Sequence, residues 1–189
     1  MAIKTDNVTD IKEYYGIFKE IDERPLFLIK NMSVALIIQG KYLLSKKRET
    51  EGLECFEQSA IISQANKQFL LYIIEYLLFY GYLKEINRFI NRFNPDDRTS
   101  NEFKITQFIK NASTLQPQQV IQQAQELLKN GIESVGVYLL LIQNLVSQER
   151  FPEALRYCAI TQEKWPEKNY FFDELTNKLP TSSEEKDAG

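Results

Sequence analysis

The segment EGLECFEQSA at residues 51–60 aligns with EALRYCAITQ at residues 153–162, and this pair of segments decides the predicted fold. The two segments lie 102 positions apart, which is three times 34. At a period of 34, two columns of small or apolar residues run along the chain: Gly52, Ile86, Val120 and Ala154, then Phe56, Ile90, Ala124 and Cys158. Residues i and i+4 share one face of a helix, so these columns predict a recurring helix with one buried face.

A second apolar stripe, with the helical spacing i, i+3, i+4, i+7, precedes the first in each repeat. It reads Leu70, Ile73, Ile74 and Leu77 in the second repeat, and Tyr138, Leu141, Ile142 and Leu145 in the fourth. The first repeat has Leu36, Gly40 and Leu43, with a polar residue at Gln39. The third stripe, Ile105, Phe108, Ile109 and Ala112, is displaced by one residue, which we attribute to an insertion in NPDDRTSN at 94–101.

These columns resemble the tetratricopeptide repeat, a 34-residue antiparallel helix pair with small residues where its helices cross and a proline closing the second helix. The fourth repeat carries the resemblance best, through Tyr138, Leu141, Phe151, Ala154 and Pro166, and the first matches through Gly40, Gly52 and Phe56. The resemblance implies an all-α, right-handed α-solenoid of four units: 33–66, 67–100, 101–134 and 135–168. Another α-solenoid, or a helical bundle with accidental periodicity, remains the alternative.

Both ends of the array carry further helical patterns. An N-terminal segment, 1–32, contains the amphipathic stretch DIKEYYGIFKEI at 10–21, which we expect to cap the first unit. Residues 169–180 predict a C-terminal capping helix over the fourth unit, because terminal solenoid repeats need a cover for their apolar face. The polar tail at 181–189 is expected to be disordered.

The composition excludes much catalytic chemistry. None of the 189 residues is a histidine, which removes His-based nucleophile systems and His-ligated zinc. No phosphate-binding loop, dinucleotide fingerprint or metal-ligand cluster is present, so we expect no enzyme activity, no cofactor and no metal. Cys55 and Cys158 lie among apolar neighbours and are expected to be buried free thiols. Without a secretory signal or membrane span, the expected location is cytoplasmic and reducing.

The resemblance also implies where a partner binds, because the first helices of such units line a concave wall. The positions concerned would be Val34, Ile37, Lys41, Leu44, Gln68, Leu71, Glu75, Leu78, Phe79, Leu139, Gln143 and Val146. This wall is apolar, which suits an amphipathic helix or an extended apolar segment. The alternative is that these positions are covered internally, by the N-terminal helix or by a tight superhelical turn. A carboxylate clamp is disfavoured, because Glu75 follows Lys41 in the same column.

The predicted function is therefore that of a non-enzymatic adaptor or scaffold subunit that binds a protein partner in this groove. A chaperone for exported or assembling proteins is the first alternative, and self-association through the same surfaces is a further expectation. A helical-repeat RNA-binding protein is the second alternative, because INRFINRFNPDDR at 86–98 interleaves arginines with phenylalanines. The net charge of −3 argues against a general nucleic-acid footprint.

Overall fold

The computed structural model describes residues 26–166 and Phe172, and within them every regular element is helical. The elements are α1 (Leu26–Ser45), α2 (Glu49–Ile62), α3 (Lys67–Phe79), α4 (Leu83–Ile90), a 3-10 helix (Pro95–Thr99), α5 (Asn101–Ala112), α6 (Pro117–Lys129), α7 (Val135–Ser147) and α8 (Phe151–Lys164). The all-α prediction is confirmed for this part of the chain. The helix expected at 10–21, the C-terminal capping helix apart from Phe172, and the tail at 181–189 lie outside the described residues.

The helix starts recur every 34 residues. The first helices α3, α5 and α7 begin at Lys67, Asn101 and Val135, and the second helices begin at Glu49, Leu83, Pro117 and Phe151. Side-chain caps define the starts of all three of these first helices, since Asn66, Ser100 and Ser134 accept hydrogen bonds from first-turn backbone amides. The chain therefore stops and restarts its helices at equivalent points in successive units.

The first unit differs, because α1 begins at Leu26, seven residues before the predicted start at Ser33. The apolar run at 26–29 contains no helix-breaking residue, and Pro25 precedes it, as proline often does at helix starts. The helix is therefore longer than its counterparts, and the predicted N-terminal segment 1–32 overlaps it.

The core is built from the columns that the sequence predicted. All eight residues of the two second-helix columns are buried, as are the first-helix stripes of units two and four. Cys55 and Cys158 are buried and free, as predicted. Gln39, the polar residue of the first stripe, is also buried.

Two glycines set the distance between α1 and α2. A Cβ atom on Gly40 would lie 2.6 Å from Cε1 of Phe56 and 2.9 Å from the backbone oxygen of Gly52. A Cβ atom on Gly52 would lie 2.7 Å from Cγ of Leu44 and 3.0 Å from the backbone oxygen of Gly40. The backbones of α1 and α2 therefore touch at this crossing, which leaves no room for a side chain on either residue.

Side chains that are separated in sequence by about one repeat period bond to one another. Each of six hydrogen bonds or ion pairs connects residues 31 to 35 positions apart: Lys41–Tyr72, Glu49–Tyr82, Glu57–Arg92, Lys67–Glu102, Gln118–Arg150 and Glu133–Lys164. Equivalent positions of adjacent units thus lie side by side along the described chain.

Replacing either crossing glycine by alanine should destabilise the protein. We expect Gly40→Ala and Gly52→Ala each to lower the free energy of unfolding by about 1–3 kcal/mol, because overpacking outweighs the better helix propensity of alanine. Urea denaturation measures the loss. Lys30→Ala, on the exposed side of α1, is the control and should stay within about 0.5 kcal/mol of wild type. Unchanged stability in both glycine variants would contradict the close crossing.

Candidate functional site

The predicted groove residues divide into three groups by exposure. Ile37, Leu44, Glu75 and Leu139 are buried, with between 3% and 8% of their surface exposed. Five others are partly buried: Lys41, Leu71, Leu78, Phe79 and Val146. Val34, Gln68 and Gln143 are exposed. The twelve residues therefore do not form one open surface, because the four buried ones belong to the protein interior.

The first helices of units two, three and four close on one another. Helices α3, α5 and α7 contact each other pairwise, so α3 reaches α7 although a whole unit separates them in sequence. The three helices meet where Glu75, Ile109 and Gly136 come together. A Cβ atom on Gly136 would lie 3.0 Å from Cδ1 of Ile109 and 3.2 Å from Oε1 of Glu75. Glycine at this position permits the close approach.

Glu75 binds the amino end of α7. Its Oε1 accepts a hydrogen bond of 2.8 Å from the backbone N–H of Gly136, the second residue of that helix. Amides in the first turn have no acceptor within the helix, and they carry the positive end of the helix dipole. Ser134 completes the cap, because its Oγ accepts from the N–H of Val137. Glu75, predicted to face a partner, is instead a buried contact between two units.

The end of the described chain covers another groove position. Phe172 is fully buried, and its ring packs edge-on against Phe79 of α3, with 6.3 Å between the ring centroids. A residue beyond the fourth unit thus returns to the second. Around Phe79 and Glu75, the predicted groove is filled by the protein itself, through Phe172 and the start of α7.

An open surface lies at the edge formed by α1 and α3, and it contains the predicted groove residues Val34 and Lys41 together with Ile38 and Tyr72, which the sequence analysis did not select. Val34 and Ile38 on α1 are 38% and 56% exposed, and Tyr72 on α3 is 37% exposed. Lys41 joins the two helices, because its Nζ donates a 3.1 Å hydrogen bond to the hydroxyl of Tyr72. The ammonium group also lies 5.3 Å from the ring centroid of Tyr76. Val34, Ile38, Lys41 and Tyr72 are called the α1–α3 face below.

A second opening lies between the two helices of the third unit, α5 and α6. It is an open cleft of about 640 Å³. Its lining is rich in side-chain amides and includes three charged groups. The residues that line it are Arg98, Asn101, Phe103, Lys104, Gln107, Phe108, Asn111, Gln123, Glu126, Leu127, Asn130 and Ile132. This space is called the unit-three cleft, and none of the predicted groove residues lines it.

The cleft follows from the displaced stripe of the third unit. Because α5 begins 34 residues after α3, the attribution of the displacement to an insertion at 94–101 is wrong. A one-residue displacement instead turns the apolar face of α5 by about 100° around the helix axis. Lys104, Gln107 and Asn111 then occupy the positions that Leu70, Ile73 and Leu77 hold in α3. This substitution of polar for apolar residues was the sequence signal for the cleft.

The connection between the helices also differs in the third unit. Lys47, Gly81 and Glu149 have left-handed backbone conformations in the other three units, at intervals of 34 and 68 residues. Leu115, the equivalent residue, is not among the residues with positive φ. The third helix pair therefore turns through a different connection, which accompanies the separation of its helices.

The basic segment at 86–98 is largely engaged within the protein. Arg88 and Arg92 form ion pairs with Glu57 of α2, a carboxylate that is itself buried. Phe89 and Phe93 are buried in the core and offer no surface for base stacking. Only Arg98 of this segment reaches an opening, since it lines the unit-three cleft.

The groups with shifted pKa values near α7 and α8 act as structural links. Burial raises the pKa of the Tyr138 hydroxyl, and the neighbouring Glu133 carboxylate raises it further. The same carboxylate pairs with Lys164 and raises the pKa of its ammonium group. These contacts tie the end of α8 to the start of α7.

The described residues include neither a metal-binding cluster nor a membrane-spanning helix. Among the described residues, no group of three or more Cys, Asp or Glu side chains is placed to hold a metal ion. In the same part of the chain, no helix combines the length and the apolar character needed to cross a membrane. Asp96 and Asp97 lie on the 3-10 helix, where Asp97 pairs with Lys67.

No family model, curated protein or solved structure matches the chain. The tetratricopeptide interpretation therefore depends on the sequence columns and on the helix geometry of this protein.

The contact between Glu75 and Gly136 should contribute measurably to stability. We expect Glu75→Ala to lower the free energy of unfolding by about 1.5–3 kcal/mol, because it removes a buried bond to a charged acceptor. Glu75→Gln keeps an acceptor oxygen and should lose clearly less. Chemical denaturation measures both, with Glu163→Ala on the exposed side of α8 as the control. Equal stability of wild type and Glu75→Ala would show that the contact does not hold α3 to α7.

Proposed function

We propose that this chain is a non-enzymatic adaptor or scaffold subunit, built as a right-handed tetratricopeptide-like solenoid, which binds a segment of a protein partner on the α1–α3 face. The helix starts at 34-residue intervals support the repeat architecture. The side-chain links between residues 31 to 35 positions apart support stacking of successive units. Stacked helix pairs of this kind commonly serve as binding surfaces.

The single observation that carries the functional part is the clustering of exposed apolar residues on two adjoining first helices. Val34 and Ile38 are four positions apart and therefore share one side of α1. Lys41 lies on the same side of α1, and it links this side to α3 because its ammonium group binds the hydroxyl of Tyr72. Grouped exposed apolar residues of this kind mark interaction sites more often than isolated ones do.

The chemistry of the face favours an amphipathic helix as the bound segment. Its apolar side would cover Val34, Ile38 and Tyr72, at a gain of about 25 cal/mol per Å² of apolar surface removed from water. The ammonium group of Lys41 lies at the edge of these residues and would favour an acidic residue on the bound helix. A cytoplasmic location is part of the proposal, and the two buried free thiols are consistent with a reducing compartment.

An aspartate in the centre of the face should abolish partner binding. We expect Ile38→Asp to reduce recovery of the partner by at least about tenfold, because a carboxylate must lose its hydration at an apolar contact. Ile61→Asp is a matched control, since Ile61 on α2 is 46% exposed and lies outside the face. Quantitative affinity purification of both variants from the native source measures the difference.

A photoreactive amino acid at position 38 or 61 identifies what touches each site. Cross-links to one protein from position 38, with none from position 61, support the proposal. Equal recovery by both aspartate variants, or cross-links from position 61 alone, would overturn it. Cross-links from position 38 to a second copy of this chain would replace the proposed partner by self-association.

A further inference from the structure

We infer that the unit-three cleft is a second binding site, which takes an extended peptide segment carrying a carboxylate. The inference rests on the proposed protein-binding function and adds a site away from the α1–α3 face. It begins from the amide side chains that line the cleft on both helices: Asn101, Gln107, Asn111, Gln123 and Asn130.

The five amide side chains are available to form hydrogen bonds with a ligand. Within residues 26–166 and Phe172, none of the five side chains makes a hydrogen bond to the protein. Each amide carries one acceptor oxygen and two donor hydrogens. A side-chain amide can therefore bind the N–H and the C=O of a ligand peptide group at the same time.

The chemistry selects an extended ligand over a helical one. A helix satisfies most of its backbone N–H and C=O groups internally, so few of them remain to bond the amide side chains of the cleft. An extended segment exposes a backbone N–H and C=O at every residue. The amides of the cleft match that pattern, whereas the apolar α1–α3 face does not.

The length of the lining also fits such a segment. Asn101 and Asn111 lie ten residues apart on α5, or about 15 Å along the helix axis. At about 3.3 Å per residue, an extended chain covers this distance with four or five residues. The cleft volume of about 640 Å³ lies within the range of ordinary ligand sites.

The polar lining departs from the pattern of units two and four. In units two and four, the positions equivalent to Lys104, Gln107 and Asn111 are apolar and buried. In unit three they leave the helix pair open. Departures from the local pattern of a fold concentrate at functional sites. Lys104 and Asn111 are exposed and Gln107 is partly exposed, and none of the three side chains bonds to the described part of the protein, so all three are available to a ligand.

The charges favour an acidic peptide over nucleic acid. Arg98 and Lys104 give the cleft two cations against the single carboxylate of Glu126, although the whole chain has a net charge of −3. Nucleic acid would also require an aromatic ring face for stacking. Phe108 is buried, and Phe103 is engaged edge-on with Phe93 at 5.4 Å between ring centroids. The cleft therefore offers at most the partly buried ring of Phe103, whereas single-stranded nucleic acid is bound by stacking of successive bases on several rings.

The probe is a displayed library of random short linear peptides, selected on the immobilised full-length chain. We expect acidic sequences to be enriched, and the best of them to shift the side-chain amide NMR signals of the cleft. Gln107→Ala and Gln123→Ala should each weaken binding of that peptide about fivefold to tenfold, because each removes hydrogen bonds to the ligand backbone. Gln122→Ala, the adjacent exposed residue outside the lining, should leave affinity unchanged.

Charge reversal at one lining residue tests the acidic preference. Lys104→Glu should shift the selected sequences away from acidic residues, without loss of the folded NMR spectrum. Peptides that shift only the α1–α3 face would overturn the cleft site while leaving the proposed function intact. No enrichment over an unrelated helical protein would overturn the cleft site as well. Stronger shifts of the cleft signals with a single-stranded RNA oligonucleotide would replace the peptide by nucleic acid.

Discussion

The hydrogen bond from the Gly136 amide to the Glu75 carboxylate is the contact on which the arrangement of the first helices depends. A buried carboxylate is costly unless it has partners, and the amino end of α7 supplies donors with the correct sign of charge. The bond forms only where α3 and α7 approach closely, and Gly136 has no side chain to prevent that approach. Once α3 and α7 are joined with α5 between them, the part of the predicted groove around Glu75 becomes interior.

Because these helices close on one another, the two proposed binding surfaces lie elsewhere. The α1–α3 face lies mainly on α1, with Tyr72 as its contribution from the closed cluster of α3, α5 and α7, and the unit-three cleft opens on the side of α5 that faces α6. One surface is apolar with a single cation, and the other is lined by amides. The two surfaces therefore suit different ligands, a helix at the first and an extended chain at the second. A subunit that binds two dissimilar segments is consistent with the proposed role of a scaffold.

The regular features of the fold were predictable from the sequence, because they depend on local periodicity. The small residues at Gly40 and Gly52 indicated a close helix crossing, and the backbone atoms meet there. The columns built around Gly52 and Phe56 indicated buried faces, and all eight residues are buried. Such signals are visible in one chain, since each unit repeats the same requirement for burial.

The closure and the cleft were harder to predict, for different physical reasons. Glu75 and Gly136 lie 61 positions apart, a separation that is no multiple of 34, so no column connects them. Phe172 reaches back across two units, and no repeat pattern encodes that contact. The displacement of the third stripe was visible in the sequence, but an insertion before α5 would produce the same displacement, and the sequence alone does not fix where α5 begins. Amphipathic periodicity identifies the buried face of a helix without identifying the neighbour that buries it.

Hydrogen exchange at the Gly136 amide tests the closure of the first helices most directly. An amide at the second position of a helix has no acceptor within that helix, so it exchanges quickly unless a tertiary contact protects it. NMR-detected exchange in the full-length chain should show Gly136 protected to about the same extent as the core of α7. Exchange at the rate of an unprotected first-turn amide would show that Glu75 does not hold α7, and the predicted groove would then be open.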